Sequence, residues 1–138
     1  MARARILVAD DHKGIRETVV HLLNREFDVL ETVNDGRALI EAVRRLHPDL
    51  CVVDVSMPII SGIEAAAKLK KNGNPPKLIF LTIHDDQDFV DEAFNAGADG
   101  YVIKGRMAAD LILAVKAVLG GRTFVSAMES SKPKPSNA

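Results

Sequence analysis

Short apolar runs and helix-spaced apolar patterns alternate five times along this 138-residue chain, and few folds satisfy that alternation. The runs are Arg5 to Ala9, Asp28 to Val33, Leu50 to Asp54, Lys77 to Thr82 and Gly100 to Lys104. Most are apolar at consecutive positions, where a strand with one wet face would alternate, so they predict a parallel sheet covered on both sides. Between them Ile15, Val19, Leu22 and Leu23 recur at helical spacing, as do Leu39, Ile40, Val43 and Leu46, then Ile63, Ala66, Ala67 and Leu69. Phe89, Val90, Ala93 and Phe94 mark a fourth helix, and Leu111, Ile112, Val115, Val118 and Leu119 a fifth. His47-Pro48-Asp49, Asn72 to Pro76 and Ala96-Gly97-Ala98 fall between elements, where turns and helix ends belong. Right-handed crossovers within one open sheet then give a flavodoxin-like α/β fold, a doubly wound (βα)5 sheet in the order 2-1-3-4-5 with helices on both faces.

The length accommodates one compact domain, expected over residues 1–122, and the helical pattern stops at Gly120-Gly121. Residues 123–138 read as a tail or linker, with disorder expected over Ser130 to Ala138, Ser-Ser-Lys-Pro-Lys-Pro-Ser-Asn-Ala. Eighteen basic and nineteen acidic side chains leave a formal charge of −1, without the dense basic stripe of a nucleic-acid binder. Direct DNA binding by this chain is not expected. A single cysteine, Cys51, inside an apolar run reads as a buried free thiol and excludes an internal disulfide. No apolar stretch reaches roughly 18 residues, so neither a secretory signal nor a membrane span is predicted, and a soluble cytoplasmic protein is expected.

Two of the runs end in carboxylates or are followed by them: Ile6-Leu7-Val8-Ala9 leads into Asp10-Asp11, and Leu50-Cys51-Val52-Val53 into Asp54. Tyr101-Val102-Ile103 leads into Lys104. All of these charges reach the carboxyl edge of the predicted sheet, where open α/β sheets bind ligands and where a carboxylate is costly unless a cation compensates it. Asp10 and Asp11 can share a hard cation as the chain turns into its loop, and magnesium, which prefers carboxylate oxygens and phosphate, suits them. Taken alone, the pair could instead cap the helix that begins near Lys13. Asp54 is the candidate nucleophile, since a carboxylate can attack a phosphoryl group once a metal and an ammonium neutralise the negative oxygens. Lys104 supplies the ammonium. Thr82 offers a hydroxyl at the same edge, although threonine is also simply a favourable strand residue.

The acidic pair, the loop Asp54-Val-Ser-Met-Pro-Ile-Ile-Ser-Gly62, Thr82, Tyr101 and Lys104 occur in an order and spacing that resembles response-regulator receiver domains of two-component signalling, from about Arg3 to Arg122. Leu81 to Val90, Gly97 to Lys104 and Ala117 to Val125 are most similar to the NarL/FixJ-type branch, whose members usually continue into a helix-turn-helix. The resemblance implies that Asp54 accepts phosphate from a sensor histidine kinase or phosphotransfer protein. It implies Mg²⁺, with Mn²⁺ as a substitute, bound by Asp11 and Asp54, by Asp10 directly or through water, and by the backbone carbonyl of Ser56. Lys104 would pair with the phosphoryl group, and Thr82 and Tyr101 would form a switch that remodels the surface of the fourth helix, fifth strand and fifth helix. Such a protein is no conventional enzyme but a phosphoacceptor with self-catalysed phosphotransfer and autodephosphorylation, homodimerising on phosphorylation in some settings and regulating transcription when joined to an output domain. The chain is a stand-alone receiver or an excised one.

Two positions depart from that pattern. Gly105 follows Lys104 where many receivers have proline, which predicts a trans bond there. Ile83 follows Thr82 where a small residue is common, and a side chain of that size is expected to crowd the pocket and slow turnover. Tyr101 reads equally as a half-buried strand residue, and His84 and Ser56 as either pocket-flanking or exposed loop residues. Gly62 is expected to permit a tight turn or close helix packing. The acidic run Asp85, Asp86, Asp88, Asp91 and Glu92 suits the start of the fourth helix. His12, His21 and His47 lack metal-ligand spacing and read as structural or surface residues. An aspartate-nucleophile phosphatase would need a carboxylate where Ser56 stands, and a cobalamin-binding domain would need a differently placed glycine than Gly14. A degenerate receiver would not keep the full set of acidic, hydroxyl and ammonium groups.

Overall fold

A computed structural model describes residues 3–127. Its elements run β1 (Arg5–Ala9), α1 (Lys13–Leu23), β2 (Asp28–Val33), α2 (Gly36–Leu46), β3 (Leu50–Asp54), α3 (Gly62–Lys70), β4 (Lys77–Thr82), α4 (Gln87–Asn95) and β5 (Gly100–Ile103). A single 3₁₀ turn (Lys104–Arg106), α5 (Met107–Leu119) and β6 (Phe124–Val125) complete the chain. The sheet is parallel throughout, in the order β2-β1-β3-β4-β5-β6.

Side-chain alternation along the strands divides the core into two layers. Leu7, Cys51, Val53, Leu78, Phe80 and Tyr101 face α2, α3 and α4 through Leu39, Val43, Ala66, Leu69, Val90 and Ala93. Ile6, Val8, Leu50, Val52, Ile79, Leu81 and Val102 face α1 and α5 through Val19, Leu23, Leu111, Val115 and Val118. β3 is buried at every residue because both of its faces are covered, which explains its unbroken apolar sequence. Burial also pushes the Cys51 thiol up to about 12, leaving an inert core sulfur.

Three helices begin on side-chain caps, where Asp35 accepts from the N–H of Ala38, Ser61 from Glu64 and Asp86 from Phe89. The acidic run therefore begins α4 as expected, with Asp91 accepting from Gln87 Nε2 at 2.8 Å. His47 ends α2 in the left-handed conformation at φ 49°. Gly62 stands where a Cβ would lie 2.8 Å from Val55 Cα, so only glycine lets α3 start this close to the end of β3. Gly62→Ala is expected to lower stability by about 1–3 kcal/mol through overpacking. An unchanged urea midpoint would show that the loop yields instead.

Two corrections concern the carboxyl side of the domain. Lys104 belongs to the 3₁₀ turn, not to β5, which ends at Ile103. The sheet also continues past Arg122, where a tail was expected: Phe124–Val125 pairs with Gly100 and Tyr101 of β5 as a sixth strand. Two residues are too few for periodicity to reveal a strand, and here backbone pairing at the open edge of β5 determines the structure. The segment Ser130 to Ala138 lies outside the described residues.

Candidate phosphoacceptor and metal site

The strand order brings the ends of β1, β3, β4 and β5 together at the sheet's carboxyl edge. Asp10 and Asp54 are almost fully buried, 0% and 2% exposed. Lys104, reaching back from the 3₁₀ turn, places Nζ 3.2 Å from Asp10 Oδ2 and 3.4 Å from Asp54 Oδ1. The Ser56 N–H donates to Asp54 Oδ1 at 3.1 Å, fixing the loop after β3 against the carboxylate. Burial raises the Asp54 carboxyl to about 6, with the neighbouring Asp10 adding to the effect and the Ser56 N–H and the Lys104 ammonium opposing it.

Asp10 and Asp11 do not cap α1. His12 holds the N-cap position with no side-chain cap, and Asp10 Oδ1 instead accepts from the His12 N–H at 2.8 Å. Asp10, Asp11, His12 and Asp54 each present a ligand atom within 4.8 Å of the others. Asp10 Oδ2 and Asp54 Oδ2 are buried without a hydrogen-bond partner among the described residues. Buried carboxylate oxygens left in this way fit a hard dication that accepts oxygen ligands in a small site.

His12, read from the sequence as a structural or surface residue, is exposed but lies against the cluster, with Nδ1 2.9 Å from Asp11 Oδ1 and 3.4 Å from Asp10 Oδ1. Its position directly after Asp11 was the only signal available. Thr82 is buried at the end of β4, and its Oγ1 accepts from the His84 N–H at 3.1 Å. Tyr101 is fully buried, not half-buried, and its hydroxyl donates to the His84 carbonyl at 2.8 Å. Burial also raises the Tyr101 phenol to about 12. His84 stacks on Phe89 with ring centroids 3.9 Å apart.

Ile83 is 73% exposed, so its side chain does not fill the pocket as the sequence led one to expect. The loop from Asp54 to Ser61 contains Ile59 at φ 70°, a conformation unfavourable for a β-branched residue. No peptide bond among the described residues is cis, consistent with the trans bond expected at Gly105. No helix among them is long and apolar enough to cross a membrane.

Comparison with known proteins places this geometry in a family. Residues 6–116 match the model of the response regulator receiver domain. The chain is 35% identical over 125 residues to the transcriptional regulatory protein DegU of Brevibacillus brevis, a match covering 89% of this chain and 53% of DegU. It is 34% identical over 124 residues to the oxygen regulatory protein NreC of Staphylococcus epidermidis, covering 88% of this chain and 57% of NreC. The chain thus spans little more than half the length of these curated relatives. Among solved structures, a LuxR-family two-component response regulator from Aurantimonas sp. SI85-9A1 superposes with a TM-score of 0.84 at 33% identity, covering 89% of each chain. The isolated REC domain of RcsB from Salmonella enterica serovar Typhimurium, at a TM-score of 0.83 and 24% identity over 93% of this chain and 95% of its own, supports the fold. The chain belongs to the response-regulator receiver family, a signalling switch of two-component systems and not a typical enzyme.

Proposed function

We propose that Asp54 is the phosphoacceptor and that Asp10, Asp11, Asp54 and the backbone carbonyl of Ser56 hold Mg²⁺, with Mn²⁺ able to replace it. The observation that carries this reading is the pair of buried oxygens that accept no hydrogen bond among the described residues, Asp10 Oδ2, which has only its ion pair with Lys104, and Asp54 Oδ2, beside a single shared ammonium. Receiver domains bind magnesium at such an acidic pocket, and when bound the ion neutralises phosphoryl oxygens that would otherwise repel the carboxylates.

The donor is a phosphohistidine of a sensor histidine kinase or phosphotransfer protein. An Asp54 oxygen forms the new bond to phosphorus as the phosphorus–nitrogen bond breaks, and the departing imidazole keeps the electron pair. Lys104 then moves its charge from the carboxylates to the phosphoryl oxygens, and the Thr82 hydroxyl, which accepts from the His84 N–H and interacts with the Tyr101 phenol, turns to donate to one of them. Release of that contact lets Tyr101 and the His84 loop repack, which changes the surface of α4, β5 and α5. That surface controls a homodimer or an output region, in line with the transcriptional relatives, and self-catalysed hydrolysis resets it. We assign the protein to the cytoplasm and assign no nucleic-acid contact to this chain.

Intact mass after treatment with an acyl phosphate and Mg²⁺ tests the reading. Wild type is expected to gain one phosphoryl group and Asp54→Asn none; the same adduct in both, or in neither, rules Asp54 out. Asp11→Ala should abolish the Mg²⁺-dependent spectroscopic change near the site, and undiminished Mg²⁺ affinity would remove Asp11 from the metal set.

A further inference from the structure

Lys104 acts at the end of a long side chain rooted in a short turn, and the turn itself is thinly supported. Nothing lies within 4 Å of a Cβ placed on Gly105, so no packing fixes the residue after Lys104. Glycine also has the widest backbone freedom of any residue. The turn is held from outside by one buried polar circuit. Ser126, 2% exposed, accepts from the Ile103 N–H at 3.1 Å and donates its own hydroxyl to Asp110 Oδ2 at 2.7 Å. Asp110, 6% exposed on the inner face of α5, accepts from Arg106 Nε at 2.9 Å. The Ser126 N–H also donates to the Tyr101 carbonyl at 2.9 Å.

Lys104 and Gly105 therefore lie between two anchors, Ile103 and Arg106, that meet at one carboxylate. We infer that Ser126 and Asp110 are positioning residues, which fix the backbone on both sides of Lys104 and so hold its ammonium over Asp10 and Asp54. Neither touches the reacting atoms. A buried carboxylate satisfied by a hydroxyl and a guanidinium is a short, directional clamp, where apolar packing would allow the turn to slide. The circuit also makes the sixth strand part of the reaction machinery, because Ser126 follows Val125 directly.

This inference rests on the phosphoacceptor reading of Asp54, and its test separates the two. Phosphorylation by acetyl phosphate is followed by intact mass for wild type, Ser126→Ala, Ser126→Thr and Arg106→Gln, with thermal melts in parallel. Ser126→Ala is expected to lower the maximal phosphorylation rate about tenfold, in the range that small misplacements of a catalytic group produce. Half-saturating Mg²⁺ stays unchanged, and Ser126→Thr keeps a rate near wild type. Adding Gly105→Ala to Ser126→Ala should recover part of the loss, because alanine narrows the turn's conformations and has room to fit. Independently of phosphorylation, Ser126→Ala should speed amide exchange at Ile103 and shift the Lys104 ¹⁵Nζ resonance. Should Ser126→Ala not fold, Arg106→Gln, altered at a half-exposed side chain, carries the same expectations. A wild-type rate with an unmoved Lys104 resonance overturns the positioning role, as does a rate loss no larger than the unfolded fraction. If wild type accepts no phosphoryl group, the phosphoacceptor reading fails, and the Lys104 resonance alone decides whether the circuit positions the ammonium.

Discussion

Replacing Lys104 with methionine is expected to destabilise the protein by about 3–5 kcal/mol at neutral pH, the usual consequence of leaving buried charge without its partner. The magnitude follows from geometry. One ammonium, itself 14% exposed, serves two carboxylates that are almost wholly buried, so its removal leaves both uncompensated. The deficit should shrink on acidification, because protonating Asp54 removes one of the orphaned charges. It should also shrink in saturating Mg²⁺, which binds the folded state and stabilises it by mass action. Urea denaturation at pH 7.5 and pH 5, with and without Mg²⁺, measures both recoveries. A variant as stable as wild type at both values would mean that Lys104 does not hold these charges in place.

Asp54→Asn should act in the opposite direction. The Asp54 carboxyl lies at about 6 in the folded protein, against about 3.9 for an unfolded aspartate. Between those values the folded state binds a proton that the unfolded state does not, so stability falls as pH rises through the window, the reverse of an ordinary salt-bridged aspartate. Above it the folded protein carries the penalty in full. Asparagine removes that penalty and can keep the hydrogen bond from the Ser56 N–H, so the variant should be more stable at pH 7 by on the order of 2 kcal/mol. Its stability should also be flatter between pH 4 and pH 6. Equal urea midpoints for the two proteins at pH 7 would contradict the burial cost assigned to Asp54. The substitution proposed to abolish phosphoryl acceptance should thus strengthen the fold, as expected where a functional group is kept against a local physical preference.

The sequence carried this site because its chemistry lies at strand ends. Runs such as Leu50 to Val53 mark buried parallel strands, the crossover rule orders them, and their carboxyl ends must then meet. Asp10, Asp54, Thr82 and Lys104 could therefore be placed together without coordinates. What escaped depends on single-residue geometry. The contact of His12 with Asp11 depends on how the loop after β1 turns. The exposure of Ile83 depends on where the backbone points after β4. Ser126 lies in a segment of tail-like composition, and its burial arises only from edge pairing beyond β5. Asp110 did leave a trace, since it falls on the same helical stripe as Leu111, Ala114 and Val118, where an unpaired charge would be costly.

Cys51 gives the protein a built-in clock. It is the single thiol of the chain, buried in the strand that ends at Asp54, and it reacts only when that strand opens to solvent. The rate at which an aromatic disulfide reagent consumes it thus reports the opening free energy of the central strand directly. Measured with and without an acyl phosphate, that rate would follow the switch from inside the sheet with no label added.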